Sequence, residues 1–515
     1  MWRLLRFPLL LVFAGLTVGV VWLVSRSIEW ERVPLADDAA SVEPGPNGSE
    51  AASGQGDNGT DEGERPDSPP PPGGQNGRGQ ITVVWISIDG FKGNYLDRGV
   101  TPELSRLRRE SLHTYRLRPP FPSLTFPAHV TKATGVPVSG HGIPANRYFD
   151  RELGRMMSFP GDAEMLRAEP IWQTAARQGL RVAVHDWPLS HNQTGEHRTA
   201  YYHERFDAGL SDRERLDRLL ATWRADSDSR PLRLLMGYTK ETDTAGHRYG
   251  PDAANMLPVI QQLDGALGDF VRRAKSHFDN IRRLDDELYF IFSADHGMLK
   301  VQTNINLRMA LGPALAAQVQ MATGGNIANL YLNSRPANGN QATEDDPSVD
   351  AGNPPGETDA HPAAIGPELP SDANDDPSED QRQQRVLAQI DAQLAATLPY
   401  AQIYRQDNIP PHWGYRDPDR VGDRIVVLPP GYTFNAARQE IESTVEESGG
   451  LLGMHGWAVE DVPEMEGLLM IVRYPNPFPQ SRDLGAVDMR QLHPTVARLL
   501  GIQPADGADA APLTW

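Results

Sequence analysis

The chain has 515 residues, no cysteine and a formal net charge of -19. A disulfide framework and any thiolate metal site are excluded. The acidic balance also argues against a stable nucleic-acid complex, which depends on a basic surface. Small phosphate substrates stay open, because a bound metal can reverse the local field.

Residues 7–25 carry no charge and follow Arg3 and Arg6. Their length is close to the ~20 residues that cross a bilayer as a helix, and the basic flank is the side kept in the cytoplasm. The sequence therefore predicts a cytoplasmic tail at 1–6, a transmembrane signal anchor at 7–25 and an extracytoplasmic remainder, periplasmic or extracellular. A cleaved signal peptide is the alternative, although Val24-Ser25-Arg26 offers no small-x-small cleavage site. The lack of cysteine suits a bacterial protein in that location. Residues 26–79, rich in Pro, Gly, Asp, Asn and Ser from 36 onward, hold too little apolar surface to offset their ordering entropy. They read as a disordered stalk. Asn47, Asn58 and Asn192 begin glycosylation sequons, a short pattern that arises readily by chance.

From residue 80 to 515 the pattern is that of one large catalytic domain. Strand-like apolar runs occupy 82–88, 181–185, 232–238, 288–293, 424–428 and 468–472. Helical patterns occupy 102–110, 171–178, 213–223, 253–276 and 489–500. Alternation of this kind predicts an α/β fold, with a mostly parallel central sheet covered by helices on both faces. An acidic low-complexity run at 336–379, without Lys or Arg, separates a strand-like 326–332 from a helix-like 381–396 and reads as a surface insertion.

Ligands of such sheets gather at the carboxyl ends of the strands, and three acidic residues sit there. Asp89 follows the first run, Asp243 follows the run ending at Tyr238, and Asp295-His296 follows the run ending at Ser293. Asp243 and His247 would share a face on a helical turn, or Gly246 and Gly250-Pro251 could leave them in a loop. With His455, in Gly-Met-His-Gly-Trp, they make a three-ligand zinc set. Asp89, Asp295 and His296 make a second, with the Thr125 oxygen as fourth ligand, provided Gly297 gives a loop that turns both Asp295 and His296 inward. Thr125 precedes an apparent helix at 127–134, whose N-terminus would favour phosphate and a developing alkoxide. A metal on its hydroxyl would make Thr125 a nucleophile. Taken singly, each residue has an ordinary structural reading: Asp as turn residue, Thr125 as helix cap, Asn146 as turn residue. His129, His141, His203, His361 and His493 have no partner pattern and read as structural.

These motifs resemble the nucleotide pyrophosphatase/phosphodiesterase family, the type I phosphodiesterases of the alkaline phosphatase superfamily, in a bacterial form. The resemblance runs over 81–504. It rests on Ile-Ser-Ile-Asp-Gly-Phe at 86–91, Phe-Pro-Ser-Leu-Thr-Phe-Pro-Ala-His at 121–129 and His-Gly-Ile-Pro-Ala-Asn at 141–146. Thr-Asp-Thr-Ala-Gly-His-Arg-Tyr-Gly-Pro at 242–251, Ser-Ala-Asp-His-Gly-Met at 293–298, Asp-Asn-Ile-Pro at 407–410 and Gly-Met-His-Gly-Trp at 453–457 complete it. It implies an alkaline-phosphatase-like fold and two zinc ions, one on Asp243, His247 and His455, the other on Asp89, Thr125, Asp295 and His296. It further implies Thr125 as nucleophile, Asn146 as a donor to a nonbridging phosphate oxygen, and Phe126 and Phe206 as a sandwich for a nucleotide base. Ala128 and Thr242 replace an Asn and a Pro common in the family. The implied activity is hydrolysis of phosphodiester or pyrophosphate bonds of nucleotides, with a choline-phospholipid headgroup diesterase as the alternative. A phosphonate hydrolase and a catalytically inert binding protein are the more distant readings.

Overall fold

The computed structural model describes residues 79–333 and 378–515. The anchor at 7–25, nearly all of the stalk, and the acidic insertion through residue 377, with His361, lie outside them. Among the described residues no helix is long and apolar enough to cross a membrane.

The first strand, β1 (Ile81–Ile88), is apolar almost throughout because both of its faces are covered. Val84, Ile86 and Ile88 pack with helices α1 (Pro102–Arg108), α4 (Asp212–Ala225) and α6 (Met256–Ile281). Val83 and Trp85 point the other way, against α3 (Ile171–Arg177) and α7 (Leu492–Leu500), with α2 (Thr125–Thr134) in the same layer. The period of two along the strand thus assigns alternate residues to two separate cores. Helix α6 runs beyond the predicted Ser276, burying Ile260, Leu263, Leu267, Phe270, Val271, Ala274 and Phe278 along one stripe.

The other main strands are β2 (Ser111–Arg118), β3 (Arg181–Val184), β4 (Leu232–Thr239), β5 (Glu287–Ala294) and β6 (Gly467–Tyr474). They are ordered β2-β6-β5-β1-β4-β3, with short pairings of Arg482–Asp483 and Val487–Asp488 on the outer edge of β2. The sheet is mixed: β3, β4, β1 and β5 run parallel, and β6 runs antiparallel to both β5 and β2. The expected parallel arrangement therefore holds except for one strand. Strand β2 escapes the sequence pattern because His113 and Tyr115, only partly covered, and Arg116, exposed, break its apolar alternation.

The run at 424–428 does not join this sheet. Its strand Arg424–Val427 lies in a separate four-stranded antiparallel sheet with Val319–Gly324, Ile327–Leu332 and Gln402–Tyr404. Periodicity identifies a strand but not its partner, which explains the misplacement. One face of this smaller sheet is covered by helices Leu307–Ala316 and Glu379–Thr397. The other packs Ile327, Ile425 and Val427 against Phe121 and Leu124, just before Thr125. The helix after the insertion starts earlier than expected: Glu379 is its first residue, and Ser378 caps it by accepting from Gln381 N.

Candidate active site

Register brings the acidic residues together. Ile88 pairs with both Thr239 and Ala294, so Asp89, Lys240 and Asp295 leave the sheet at one level. Gly90, at φ +62, turns the chain so tightly that a Cβ there would lie 2.9 Å from Asp243 Cα. Its N–H donates to Asp295 Oδ1 at 3.0 Å. Past Asp295 and His296, Gly297 lies against the chain at Glu464, where a Cβ would sit 1.9 Å from the carbonyl oxygen. This contact lets both preceding side chains turn inward.

Asp243 and His247 lie on a helix, α5 (Glu241–Tyr249), which resolves the helix-or-loop alternative. Its N-terminus has no local side-chain cap. Asp212 of α4 takes that role, accepting from Lys240 N at 2.8 Å and Glu241 N at 3.2 Å. Thr242 Oγ1 donates to the Asp89 carbonyl, tying the two acidic segments together. His455 comes from far along the chain. The pair Gly453–Met454 bonds antiparallel to Leu299–Lys300, immediately after Asp295-His296.

Two clusters result, Asp89 with Asp295 and His296, and Asp243 with His247 and His455; within each, the ligand atoms lie within 4.8 Å of one another. His296 Nε2 is 3.4 Å from Asp89 Oδ1 and 3.2 Å from Asp295 Oδ2. Asp243 Oδ2 is 3.3 Å from His247 Nε2, and its Oδ1 is 3.6 Å from His455 Nε2. The rings of His296 and His455 stack with centroids 3.5 Å apart, so the clusters share a wall.

The hydrogen bonds orient these groups for a cation. His247, His296 and His455 each have Nδ1 on a backbone carbonyl, of Gly453 at 2.7 Å, Gly297 at 2.9 Å and Ser123 at 2.9 Å. A carbonyl only accepts, so Nδ1 carries the proton and Nε2 faces the cluster. Asp295 Oδ1 takes two backbone N–H groups and Asp89 Oδ2 takes the Tyr238 hydroxyl. Asp89 Oδ1, Asp243 Oδ1 and Asp295 Oδ2 are buried without any hydrogen-bond partner. Each such oxygen costs on the order of 1–3 kcal/mol, more when charged. An all-oxygen-and-imidazole set with three orphaned carboxylate oxygens fits bound metal ions.

Electrostatics differ between the clusters. Burial, then the facing charges of Asp295 and Asp243, raise the Asp89 carboxyl well above the usual range. Burial also pushes the Asp243 carboxyl up, but charge and hydrogen bonding from His247, with help from His455, outweigh it and hold it well below that range. His247 moves up despite its burial, because Asp243 faces it. Burial lowers His455 to about 3, keeping it a neutral ligand.

Thr125 is the first residue of α2, two residues earlier than the helix start predicted at 127. Its Oγ1 lies 3.3 Å from His296 Nε2. Phe126 N–H, one of the free donors of that helix end, is taken by Asn146 Oδ1 at 2.9 Å. Asn146 thereby keeps its amide nitrogen for a ligand. A cleft of about 420 Å³ joins Asp89, Thr125, Asn146, Asp243, His247 and His455 to Phe126 and Phe206. All the predicted site residues thus come together, with Asp295 and His296 beneath the cleft. Several cleft residues were not visible in the sequence. Phe159 meets Phe126 edge-on at 5.6 Å, Tyr238 lies 6.1 Å from Phe206, and His191 is 3 % exposed with both ring nitrogens unpartnered. Of the histidines read as structural, His141, His203 and His493 bond to Thr131, Asp186 and the Ala133 carbonyl. His129 instead sits 3.4 Å from Asp295. A larger groove, about 670 Å³ around Phe121, Pro411 and Trp413, contains none of these ligands.

The family described as type I phosphodiesterase / nucleotide pyrophosphatase matches residues 83–458. The chain belongs to this family. It is 36% identical over 231 residues to a pyrophosphatase/phosphodiesterase of Schizosaccharomyces pombe, covering 44% of this chain and 46% of that protein. It is 31% identical over 222 residues to human ectonucleotide pyrophosphatase/phosphodiesterase family member 1, covering 42% of this chain and 23% of the relative. The chain thus spans less than half the length of either. A bis(5'-adenosyl)-triphosphatase of Bos taurus aligns over 82% of this chain and 78% of its own length, at 24% identity. Among solved structures, murine ectonucleotide pyrophosphatase/phosphodiesterase 5, as an inactive variant in complex with AMP, superposes with a TM-score of 0.63. That match has 22% identity and covers 82% of this chain and 96% of the other, which places the chain in the family's alkaline-phosphatase-like α/β fold.

Proposed function

We propose that this type I phosphodiesterase family member is a zinc-dependent hydrolase of phosphodiester or pyrophosphate bonds in nucleotides. The observation that carries the proposal is Thr125, set at a helix N-terminus against two clusters that hold three orphaned carboxylate oxygens. Asp243, His247 and His455 would hold one zinc; Asp89, Asp295, His296 and Thr125 would hold the other. Bound there, the ions supply Lewis-acid stabilisation of the oxygens exchanged at phosphorus. Thr125 Oγ1 would attack phosphorus as the bond to the departing alcohol or phosphate breaks, giving a nucleotidyl-threonine diester; water would then displace Oγ1, releasing the nucleoside monophosphate and returning the threonine hydroxyl. The α2 N-terminus and the Asn146 amide donate to the nonbridging oxygens. Phe126 and Phe206, lining one cleft, offer faces for a base.

The cleft supports nucleotides over choline headgroups. Asp186, its carboxylate away from the clusters, is already engaged by Arg215 at 2.8 Å and His203 at 3.1 Å. It has no free charge for a quaternary ammonium. The composition of 7–25 extends the proposal to an enzyme anchored in the membrane and facing outward. Protease accessibility of intact cells or spheroplasts tests this, and protection of the catalytic region would reject it.

The deciding experiment is a substrate panel with zinc: a nitrophenyl nucleotide diester, a dinucleotide polyphosphate, a choline lipid and a phosphate monoester. The nucleotide substrates are expected to lead, and preference for the lipid or the monoester overturns the proposal. Phe126→Ala should raise KM for the nucleotide diester about five- to a hundredfold, the worth of one stacked base. It should leave a small nitrophenyl diester nearly unaffected. Equal losses on both would reduce Phe126 to a support of the nucleophile turn.

A further inference from the structure

Lys132 is completely buried, two helical turns below Thr125 on α2. Its ammonium donates to Ser87 Oγ at 2.6 Å and to the Ala294 carbonyl at 3.4 Å, and lies 5.0 Å from the Trp187 ring. Among the described residues it forms no ion pair. Burying an ammonium with no carboxylate in contact is costly, and the more distant charges of Asp295 and Asp89 offset that cost only in part. The position therefore calls for a reason other than packing.

The reason lies in which way the hydrogen bonds can point. An ammonium only donates. Ser87 Oγ accepts from Lys132, so its own proton goes to His129 Nε2, 2.7 Å away. His129 must then carry its proton on Nδ1, which faces the Thr125 carbonyl at 2.8 Å and the orphaned Asp295 Oδ2 at 3.4 Å. The opposite tautomer would set a nitrogen lone pair against two oxygens. Burial lowers the Lys132 ammonium to about 8, so it remains a donor at neutral pH.

We infer that Lys132 is a positioning residue: through Ser87 and His129 it sets a one-way hydrogen-bond relay that holds the backbone carbonyl of Thr125 in place and fixes the His129 ring beside the Asp295 carboxylate. The catalytic part of this inference rests on the roles proposed above for Thr125 and Asp295; the relay itself does not. Lys132 and Ser87 touch no reacting atom, so the effect on rate is indirect: it comes through the hydrogen-bond geometry and through the charge of Lys132 on the buried Asp295.

The test uses full-length protein, Lys132→Met, Ser87→Ala and the double variant. In metal-free wild-type protein, 15N spectra of the histidine rings should give His129 as the Nδ1–H tautomer. The Nε2–H form there would overturn the relay outright, whether or not any variant folds. With zinc and a small nitrophenyl diester, each single variant should lose about ten- to a hundredfold in kcat, the usual range for outer-sphere partners, with KM nearly unchanged. The double variant should lose no more than the worse single one, because relay members act as a unit. Multiplying losses, or an unchanged kcat, would overturn the inference. Lys132→Met should lower Tm, since it leaves the buried Asp295 and Asp89 without a compensating charge; a lower Tm with wild-type kcat would make Lys132 structural only. Should the wild-type protein hydrolyse no phosphate ester, the functional proposal fails, while an Nε2–H His129 would still overturn the relay.

Discussion

The two acidic clusters are built differently. Asp89, Asp295 and His296 are all buried and come from adjacent strand ends, whereas Asp243 and His247 are partly exposed and are completed by His455 from a distant segment. Without a cation the first cluster is left with crowded carboxylates, which push the Asp89 carboxyl up. In the second, Asp243 and His247 face each other, which holds the carboxyl down and moves the imidazole up. Each pocket thus shifts one group toward holding a proton where a metal would go, an oxygen in one and a nitrogen in the other. One donor set is fully buried and crowded with carboxylates, while its neighbour is partly exposed and balances its single carboxylate with imidazole.

The largest expected effect tests what lies between the pockets. Thr125→Ala should lower turnover by at least roughly a thousandfold, as loss of a nucleophile does, while both clusters still take up metal. Near-normal turnover would assign the attack to water and leave Thr125 a spectator.

Removing a ligand from each pocket in turn sharpens the contrast. Asp295→Ala should cost the protein one whole equivalent of zinc by elemental analysis, because no water or side chain can replace a buried anion there. His455→Ala should weaken the other ion by more than the roughly 10- to 100-fold of outer-sphere losses, yet still let it bind at saturating zinc. Equal stoichiometric losses would erase the distinction.

The two raised groups predict a pH effect of moderate size. Asp89 lies above its unfolded value of 3.8 and His247 above 6.5. The metal-free fold therefore binds protons at these two groups more tightly than the unfolded chain does. For both groups this stabilisation is full below the unfolded value and is lost as pH rises through the folded one. Above about pH 6.5 the metal-free Tm should fall. Zinc affinity should rise over the same range because binding no longer has to displace protons, each worth about 1.4 kcal/mol per pH unit. Calorimetric melts with and without zinc should diverge with increasing pH, and a constant gap would remove the proton-for-metal exchange from both pockets.

The smallest effect concerns the acidic insertion. Deleting residues 336–377 and joining the ends with a short Gly/Ser linker should leave kcat and zinc content of both pockets within about twofold. A folded deletion protein with a large loss of turnover would tie the insertion to the cleft.

Much of the site was legible because its ligands mark strand ends. Asp89 and Asp295 each follow an apolar run, and the fold needs only register to align them. Asp243 and His247 advertised a shared face by their spacing, although the helix holding them depends on Asp212, a residue 31 positions before Asp243 whose role is purely tertiary. Tyr238 and His191 carried no signal, since a strand tyrosine and a loop histidine look the same whether or not they face a cleft. The second sheet was misread for a related reason: residues 424–428 have the right alternation, and nothing local says which sheet edge they meet. His129 was read as structural because its partners Ser87 and Asp295 are remote in sequence.

Strand β6 has a consequence for the order of assembly. It is the last main strand in the chain, yet it lies between β2 and β5, well inside the sheet. Strand β2, made long before, has no neighbour in the central sheet until residues 467–474 and the short pairings after them are available. During synthesis, which proceeds from the N-terminus, β3, β4, β1 and β5 can associate early and bring Asp89, Asp295 and His296 together. His455 arrives only shortly before β6. The buried pocket should thus be the first to form, and a nascent chain stalled before Gly453 should capture one zinc ion where the released protein captures two. Zinc content of ribosome-bound chains of increasing length would read this directly, and two ions on the shorter chain would show that the second pocket closes without its histidine.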